Sequence, residues 1–290
     1  MIHPITFSIP EEKIVKYHTL KTKLLSHLVP GDTTTYIYNT EEEYYKEYQK
    51  SFFAITTKKS GWDCMRHYEI LANGCIPHFI DIEKCPANTM HFLPKELLIK
   101  GNALYKKFVN DVTVECIQEY NELQKKMLVY TKEYLTTEKM AQYVLSRVGK
   151  NATKILYLSG DTNPDYLRCL MLHGFKKLIG SSCHDYPKID HIYKSNMNFS
   201  NLYGKGMSYT NLLEPALHND ELNSKIYEDI KNKYYDIVIY GSYHRGMPLY
   251  NLVDSIYDPS DIVLFCGEDL HACNYSNFVK MGYHVFVREL

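Results

Sequence analysis

The sequence lacks the features that identify membrane, secreted and nucleic-acid-binding proteins. It contains no run of 18 apolar residues, so no segment is expected to span a membrane. Its first residues, Met1–Pro4, lack the basic and apolar regions of a signal peptide. Lys and Arg number 33 against 34 Asp and Glu, a net charge of −1. Such a balance predicts no nucleic-acid partner and no anionic membrane, and any anion site must be local.

Paired cysteine motifs are also missing. None of the eight cysteines forms a Cys-x-x-Cys pair, and most lie within apolar runs such as Leu264–Cys266. This pattern is typical of reduced, buried thiols rather than of a disulfide framework. We therefore expect a cytoplasmic protein.

The composition is that of a folded globular protein. Hydrophobic residues make up 45% and charged residues 23% of the chain, which excludes disordered and fibrous classes. A length of 290 residues suits two domains. The polar Gly149–Asn151 segment is the best boundary, so we predict one domain over residues 1–150 and a second over 151–290.

Hydrophobic periodicity in the first half predicts strands alternating with helices. The predicted strands cover residues 5–9, 33–38, 52–56 and 76–82, and the predicted helices cover 11–28, 41–49 and 63–73. Asp63 is the expected N-cap of the third helix, and Gly74 its C′ residue. Residues 94–148 show no strand pattern and predict two or three helices, the last starting near Thr136 or Thr137.

The second half repeats the alternation. Strands are predicted at residues 154–158, 177–181, 235–240, 261–266 and 283–287, with helices at 164–173, 221–233 and from Pro248. The fold class is therefore α/β, with mostly parallel sheets in two Rossmann-like halves. Polar loops follow several of these strands, at the sheet edge where ligands bind in such folds.

One stretch of the first half has a clear chemical pattern. The strand Phe52–Thr56 leads into a loop with Lys58 and Lys59, and a helix starts directly afterwards. The free N–H groups and the positive end of a helix N-terminus attract phosphate. Arg66 in the first turn adds a further cation, so this loop predicts a diphosphate site.

Arg66 and Glu69 are three residues apart and share a helix face. One of them can hold phosphate while the other accepts hydrogen bonds from ribose hydroxyls. Trp62, the only tryptophan, stands at the loop tip, where it can stack on a base or pack the loop. The alternative is a surface Arg–Glu ion pair of about 0.3–0.5 kcal/mol beside a packing Trp. The charges alone do not decide between these interpretations.

The order of residues after this helix adds a family resemblance. Arg66 and Glu69 are followed by Gly74-Cys75-Ile76-Pro77 and then a strand. This resembles the nucleotide-sugar domain of exostosin-type glycosyltransferases, including short exostosin-like proteins of large DNA viruses and algae. The likeness covers roughly residues 50–98, including Cys85-Pro86 and Pro94-Lys95.

The resemblance implies a GT-B architecture, in which two Rossmann-like lobes face each other across a cleft. It implies that Glu69 binds ribose and Arg66 the diphosphate of a nucleoside diphosphate sugar, such as a uridine diphosphate sugar. The acceptor would be a glycan or glycoprotein. The viral look-alikes suggest transfer of a pentose such as xylose, in a host cytoplasm.

The order of the lobes departs from the family pattern. The family places its acceptor lobe first, whereas here the nucleotide-type motif lies within the first 100 residues. A circular permutation would account for this order. Alternatively, residues 151–290 form an extra domain and the acceptor lobe is missing. We favour permutation.

An inverting transfer needs a general base near the acceptor and positive groups on the leaving phosphate. The strand-end loops of the second half supply the candidate bases, which are Asp161, His244, Glu268 and Asp269. The predicted substrate-binding residues are Lys58, Lys59, Trp62, Arg66, Glu69, Gly74, Arg245 and His271. His271 is a further candidate base, and Gly204-Lys205-Gly206 is predicted to be an acceptor loop rather than a phosphate loop.

Neither a metal nor another cofactor is expected. Asp81-Ile82-Glu83 is the nearest match to a metal-binding Asp-x-Asp motif, but it stands at the end of an apolar run, where a helix cap or surface turn is more common. Cys183-His184-Asp185 and His271-x-Cys273 lack the paired spacing of a zinc site. Two other functions stay open. Leu158-Ser159-Gly160-Asp161 begins like the loop of an S-adenosylmethionine-dependent methyltransferase, although it lacks a multi-glycine turn. The other alternative is a non-catalytic glycan-binding protein.

Overall fold

The computed structural model describes residues 1–16, 19–269 and 274–290. Within them, nine strands form two parallel sheets and nine α-helices surround the sheets, which confirms the α/β class. The strands are β1 (Ile2–Pro4), β2 (Lys23–Leu25), β3 (Ser51–Thr57), β4 (Ile76–Ile80), β5 (Ile155–Leu158), β6 (Cys183–Tyr186), β7 (Ile237–Tyr240), β8 (Ile262–Cys266) and β9 (His284–Val287). The helices are α1 (Glu41–Lys50), α2 (Met65–Ala72), α3 (Lys95–Asn110), α4 (Val114–Tyr134), α5 (Thr137–Val148), α6 (Tyr166–Ile179), α7 (Asp220–Lys231), α8 (Tyr250–Ile256) and α9 (Ser276–Met281).

The large sheet has the order β1-β9-β8-β7-β5-β6, with every pair parallel. Its central strands β5, β7 and β8 are apolar on both faces because helices cover both faces. Tyr157 and Ile239 pack on the side of α5 and α6, whereas Leu158 and Val238 pack on the side of α7 and α8. The chain leaves β5 for β6 on one side and returns to β7 on the other. This reversal opens a crevice at the carboxyl ends of β5 and β7.

The small sheet has the order β2-β3-β4 and is also parallel. α2 is the crossover from β3 to β4, so it begins at the carboxyl edge of this sheet. Phe53 of β3 packs edge-on against Tyr105, Phe108 and Tyr120 of α3 and α4. Ala54 faces the opposite side, towards α1 and α2. The packing of helices on both faces of the small sheet fixes the position and direction of the first turn of α2.

The predicted halves share structure across their boundary. β1, from the first half, pairs with β9 at the far end of the chain and completes the large sheet. α5 packs on α6 so closely that a Cβ on Gly174 would lie 2.1 Å from the Thr137 carbonyl oxygen. Residues 1–150 therefore contribute to both sheets, and one hydrophobic cluster includes residues of both halves.

Three of the predicted elements are wrong. The helix predicted over residues 11–28 is instead a short 3₁₀ turn at Glu11–Lys13, followed by β2. Leu20, one of its apolar positions, is 83% exposed, so the apolar residues of this segment do not form one continuous buried face. Residues 33–38 form a 3₁₀ turn at Thr33–Thr35 instead of a strand. The strand expected at 177–181 is the end of α6 and a turn, and the strand follows at β6.

Strand pairing at the N-terminus is also shifted from the predicted 5–9 to β1, with Ile9 making an isolated bridge to Thr136. The prediction for the last of the central helices is confirmed, since Thr136 caps α5 through its hydroxyl. The thiols of Cys64, Cys75, Cys85, Cys116, Cys169 and Cys183 are free, as predicted. Cys266 departs from that prediction, because it is disulfide-bonded.

Candidate functional site

A cavity of about 960 Å³ lies between the start of α2 and the carboxyl ends of the strands of the large sheet. One wall comes from residues 63–66 and Glu69, at the carboxyl edge of the small sheet. The opposite wall comes from Asp165, Arg245, residues 267–269 and Arg288, which follow strands or begin helices of the large sheet. A volume of this size is typical of a site for a sizeable small-molecule ligand.

The start of α2 differs from the prediction. Cys64, not Asp63, is the N-cap residue, and no side chain caps the helix. The Asp63 carboxylate instead accepts hydrogen bonds from the Phe7 amide at 2.8 Å and from the Tyr68 hydroxyl at 2.8 Å. It is 3% exposed, and burial raises the pKa of Asp63 to about 6 because it disfavours the charged form.

Two backbone amides of the loop before α2, which could otherwise bind an anion, already donate hydrogen bonds within the protein. The Glu289 carboxylate accepts from the amides of Trp62 at 3.0 Å and Asp63 at 2.9 Å. Gly61 allows this approach, since a Cβ there would lie 2.6 Å from the Glu289 Oε1. The backbone of the loop tip thus holds a carboxylate of the protein itself. Phosphate binding at this wall therefore depends on side-chain cations and on the first turn of α2.

Arg66 lines the cavity, as predicted. Its Nη2 donates to the Tyr36 hydroxyl at 3.0 Å, and its guanidinium lies 5.5 Å from the centre of the Tyr36 ring. Its Nε is buried and has no hydrogen-bond partner among the residues that the structure describes. Lys59 also lines the cavity, with its Nζ 5.8 Å from the same ring. Two cations therefore lie beside one tyrosine, and a guanidinium N–H is left without a partner in the protein.

Lys58, Trp62 and Gly74 lie outside the cavity lining. The Lys58 ammonium is 5.6 Å from the centre of the Trp62 ring, and Trp62 packs against Phe79 at a ring distance of 6.5 Å. The packing interpretation of Trp62 therefore fits its position better than base stacking. Gly74 ends α2 with φ +61°, as predicted for a C′ glycine, on the far end of the helix from the cavity.

Glu69 faces the cavity but is already hydrogen-bonded. Its Oε2 accepts from the Tyr44 hydroxyl at 2.6 Å, and its Oε1 accepts from the Ser208 hydroxyl. The residue is only 4% exposed. Burial raises its pKa, although the hydrogen bonds from Ser208 and Tyr44 and the Arg66 charge oppose this. A ribose hydroxyl at Glu69 would have to share the carboxylate with these two hydroxyls or replace one of them.

Among the predicted bases, Glu268 and Asp269 line the cavity. The Glu268 Oε1 lies 2.5 Å from the His244 Nε2, and its side chain is 35% exposed. Asp269 is paired with the buried Arg288 guanidinium. His244, the partner of Glu268 in this contact, is not part of the lining. Of these groups, Glu268 is a cavity carboxylate without an arginine partner.

Asp161 does not line the cavity. Its carboxylate accepts from the Asn163 amide at 3.0 Å and from the Arg168 Nη1 at 3.2 Å. Partial burial would raise the pKa of Asp161, but the hydrogen bonds from Arg168 and Asn163 lower it below the ordinary value. This arrangement fits a loop-stabilising ion pair better than a base. His271 lies outside the described residues.

Arg288 and Asp165 are among the cavity residues that sequence reasoning missed. Arg288, which directly follows β9 and is 1% exposed, donates to the Gly267 carbonyl at 3.0 and 2.9 Å and to the Asp63 carbonyl at 2.5 Å. It thereby joins the two walls. Asp165 accepts from the Ser242 hydroxyl and lies 3.3 Å from the Arg245 Nε. The signal that selected Glu268 and Asp269, polar residues after an apolar strand, was also present at Arg288.

The described ranges contain no group of three or more His, Cys, Asp or Glu side chains placed to hold a metal ion. Asp81 pairs with Lys84 at 3.1 Å. On β6, His184 bonds to Tyr235 and Asn223, whereas Asp185 bonds to Lys176, Tyr193 and His218. Across the same part of the chain, no helix is long and apolar enough to cross a bilayer.

The buried Asp63 predicts a specific pH dependence of stability. Its native pKa of about 6 exceeds the unfolded value of 3.8, so the native state binds the proton more tightly. This contribution is fully present below pH 3.8 and is lost as the pH rises through 6. Asp63→Asn removes it, so the wild-type free energy of unfolding should fall relative to the variant by roughly 2–3 kcal/mol between pH 4 and 7. Denaturant unfolding at several pH values measures the difference, and a constant difference would contradict the assignment.

No protein-family model, no curated protein and no solved structure matches this chain.

Proposed function

We propose that the protein is a glycosyltransferase that moves a sugar from a nucleoside diphosphate sugar to a glycan or glycoprotein acceptor. The observation that supports this most is the cavity itself. It brings Arg66 and Lys59, beside the start of α2, together with Glu268 at the carboxyl edge of the large sheet. The two sheets would then correspond to the two lobes of a GT-B arrangement in permuted order.

In this proposal, cations of both walls bind the diphosphate. Arg66 and Arg245 line the cavity. The Arg66 Nε is buried without a hydrogen-bond partner among the described residues, whereas the Arg245 Nε lies 3.3 Å from the Asp165 carboxylate. Guanidinium groups form short, charge-assisted hydrogen bonds with phosphate oxygens, and such a bond would satisfy the Arg66 Nε. Lys59 adds a third positive charge. These groups would stabilise the negative charge of the leaving diphosphate, so the proposed reaction uses no metal ion.

Glu268 is the proposed general base. It would take the proton of an acceptor hydroxyl while the oxygen attacks the anomeric carbon and the bond to the diphosphate breaks. The proton ends on the Glu268 carboxylate, and the diphosphate leaves from the opposite face, so the configuration inverts. His244, 2.5 Å away, would act as a positioning residue that holds the carboxylate at the cavity. A carboxylate of this kind must reach the hydroxyl within hydrogen-bond distance.

Glu69 has a conditional part in the proposal. Ser208 and Tyr44 already donate to its two oxygens. A nucleoside would therefore bind with one ribose hydroxyl in place of the Ser208 hydroxyl, which leaves the number of hydrogen bonds to Glu69 unchanged.

A thermal-shift panel of sugar nucleotides tests the proposal. The panel includes uridine and guanosine diphosphate sugars with hexoses and with xylose, and S-adenosylmethionine as the competing ligand. A bound donor at about 100 times its dissociation constant should stabilise the protein by about 2.7 kcal/mol. Stabilisation by S-adenosylmethionine alone would favour a methyltransferase. If no nucleotide stabilises the protein and none is hydrolysed or consumed, the transferase proposal is wrong and the non-catalytic alternative gains support.

A further inference from the structure

A large aromatic ring stands exposed at the mouth of the cavity. Tyr203 belongs to the cavity lining, yet it is 73% exposed. The ring lies edge-on to the ring of Tyr166, with 5.9 Å between their centres. Tyrosine has a broad apolar face and a polar tip, which suits it to contact a ligand that is itself partly apolar and partly hydroxylated. The exposed face of the Tyr203 ring is therefore available to contact a ligand in the cavity.

The backbone around Tyr203 is held firmly. Gly204 and Lys205 both adopt left-handed conformations, with φ of 60° and 55°. A Cβ on Gly204 would lie 2.1 Å from the Tyr166 hydroxyl, so glycine is required there. The Tyr203 carbonyl accepts from the Tyr209 hydroxyl at 2.8 Å. A left-handed backbone conformation at a lysine costs free energy and persists only where the surrounding structure enforces it. The backbone that carries the exposed Tyr203 ring is therefore fixed in position.

Among residues 195–206, which surround the ring in the chain, Lys205 carries the one charged side chain. Lys205 also lines the cavity, and its ammonium donates to the Tyr38 carbonyl at 2.6 Å and to the Asn39 Oδ1 at 2.9 Å, so two of its three N–H groups are used within the protein. Residues 195–204 contain no charged side chain but carry several amides and hydroxyls. Asn201 among them lines the cavity. A polyanion would need free cations at this point, whereas a polar uncharged ligand would not.

We propose that Tyr203 is the stacking platform for a neutral saccharide ring of the acceptor. One face of a sugar ring presents C–H groups, which pack on the tyrosine face. The hydroxyls at the edge of the sugar then meet the amide of Asn201. The identity of this ligand as an acceptor rests on the proposed function, whereas its binding at Tyr203 does not. The ring lies on the same cavity as Glu268, so a sugar bound here is continuous with the proposed reaction centre.

The test is saturation-transfer NMR with methyl glycosides of glucose, galactose, mannose, xylose and fucose, with uridine as a nucleoside probe. Wild type, Tyr203→Phe, Tyr203→Ala and Tyr227→Ala are compared. Tyr227 lies on α7, is 58% exposed and is not part of the cavity lining, so it is the matched control. We expect at least one glycoside to bind the wild type. Tyr203→Ala should weaken it by about 3- to 10-fold, as aromatic contacts of this kind predict, and the other two variants should not.

The proposal is overturned if no glycoside binds the wild type, or if Tyr203→Ala leaves glycoside affinity unchanged. It is also overturned if Tyr203→Ala weakens uridine instead of the glycosides, since the ring would then belong to the nucleotide site. Because most of the Tyr203 side chain is in solvent, the alanine variant is expected to fold, and Tyr203→Phe gives a second comparison within the same fold. Failure of the transferase proposal would appear separately, as glycoside binding at Tyr203 without any binding or turnover of sugar nucleotides.

Discussion

Replacing Glu268 with glutamine should reduce sugar transfer by roughly 10²- to 10⁴-fold, the usual contribution of a general base. The glutamine keeps the size and the hydrogen-bonding edge of the side chain but cannot take a proton. Nucleotide affinity should stay unchanged, because the proposed diphosphate ligands are Arg66, Arg245 and Lys59. The measurement is release of nucleoside diphosphate in the presence of acceptor, with the donor found in the thermal-shift panel.

Two further variants make this experiment specific. Glu228→Gln on α7 is the same chemical change at an exposed site and should have no effect. Asp269→Asn changes a carboxylate that is already paired with Arg288, so its loss of transfer should be smaller than that of Glu268→Gln. Full transfer by a folded Glu268→Gln variant would remove Glu268 as the base. An equal loss for Asp269→Asn would assign the effect to the loop as a whole.

Replacing Arg66 with alanine should weaken nucleoside diphosphate binding by about 1.5–3 kcal/mol, the range for hydrogen bonds to charged groups. That corresponds to about 10- to 150-fold in the dissociation constant. The physical reason is the Arg66 Nε, which is buried at the cavity and lacks a partner among the described residues. Isothermal titration with uridine and guanosine diphosphates gives the dissociation constants.

Arg66→Lys and Lys58→Ala are the matched comparisons. Lysine keeps the charge but not the guanidinium fork, so Arg66→Lys should recover only part of the affinity. Lys58 lies over Trp62 and outside the cavity lining, so Lys58→Ala should bind like the wild type. A folded Arg66→Ala variant with wild-type affinity would show that the diphosphate does not bind at this wall. An effect of Lys58→Ala equal to that of Arg66→Ala would point to general electrostatic attraction.

Several parts of the site could be predicted because they follow from local rules. The loop between β3 and α2 was identified from its cations and its position after a strand, and Arg66 and Lys59 line the cavity. Glu268 and Asp269 were identified because polar residues after an apolar parallel strand lie at the ligand-binding edge. The same local rule also selected Asp161, which does not line the cavity, since the rule cannot reveal that the Asp161 carboxylate is bonded to Arg168.

The remaining contacts depend on residues far apart in the chain. The Glu289 carboxylate accepts a hydrogen bond from the Trp62 amide, 227 residues away in the chain. The Ser208 hydroxyl donates to Glu69, 139 residues away. No local pattern in either segment indicates the partner. The helix prediction for residues 11–28 is wrong for the same reason. Lys23–Leu25 forms a strand because it pairs with β3, and apolar spacing within the segment does not reveal that partner.

The amino-acid sequence by itself determined the α/β class, the alternation of strands and helices and the placement of polar loops after strands. These properties depend on hydrophobic periodicity and backbone preferences, which act over a few residues. Only the tertiary structure decided which of those loops meet at one cavity and which of their charges are already paired. Arg288 shows the reason, since its hydrogen bond to the Asp63 carbonyl, 225 residues away in the chain, exists only after these distant segments have packed together.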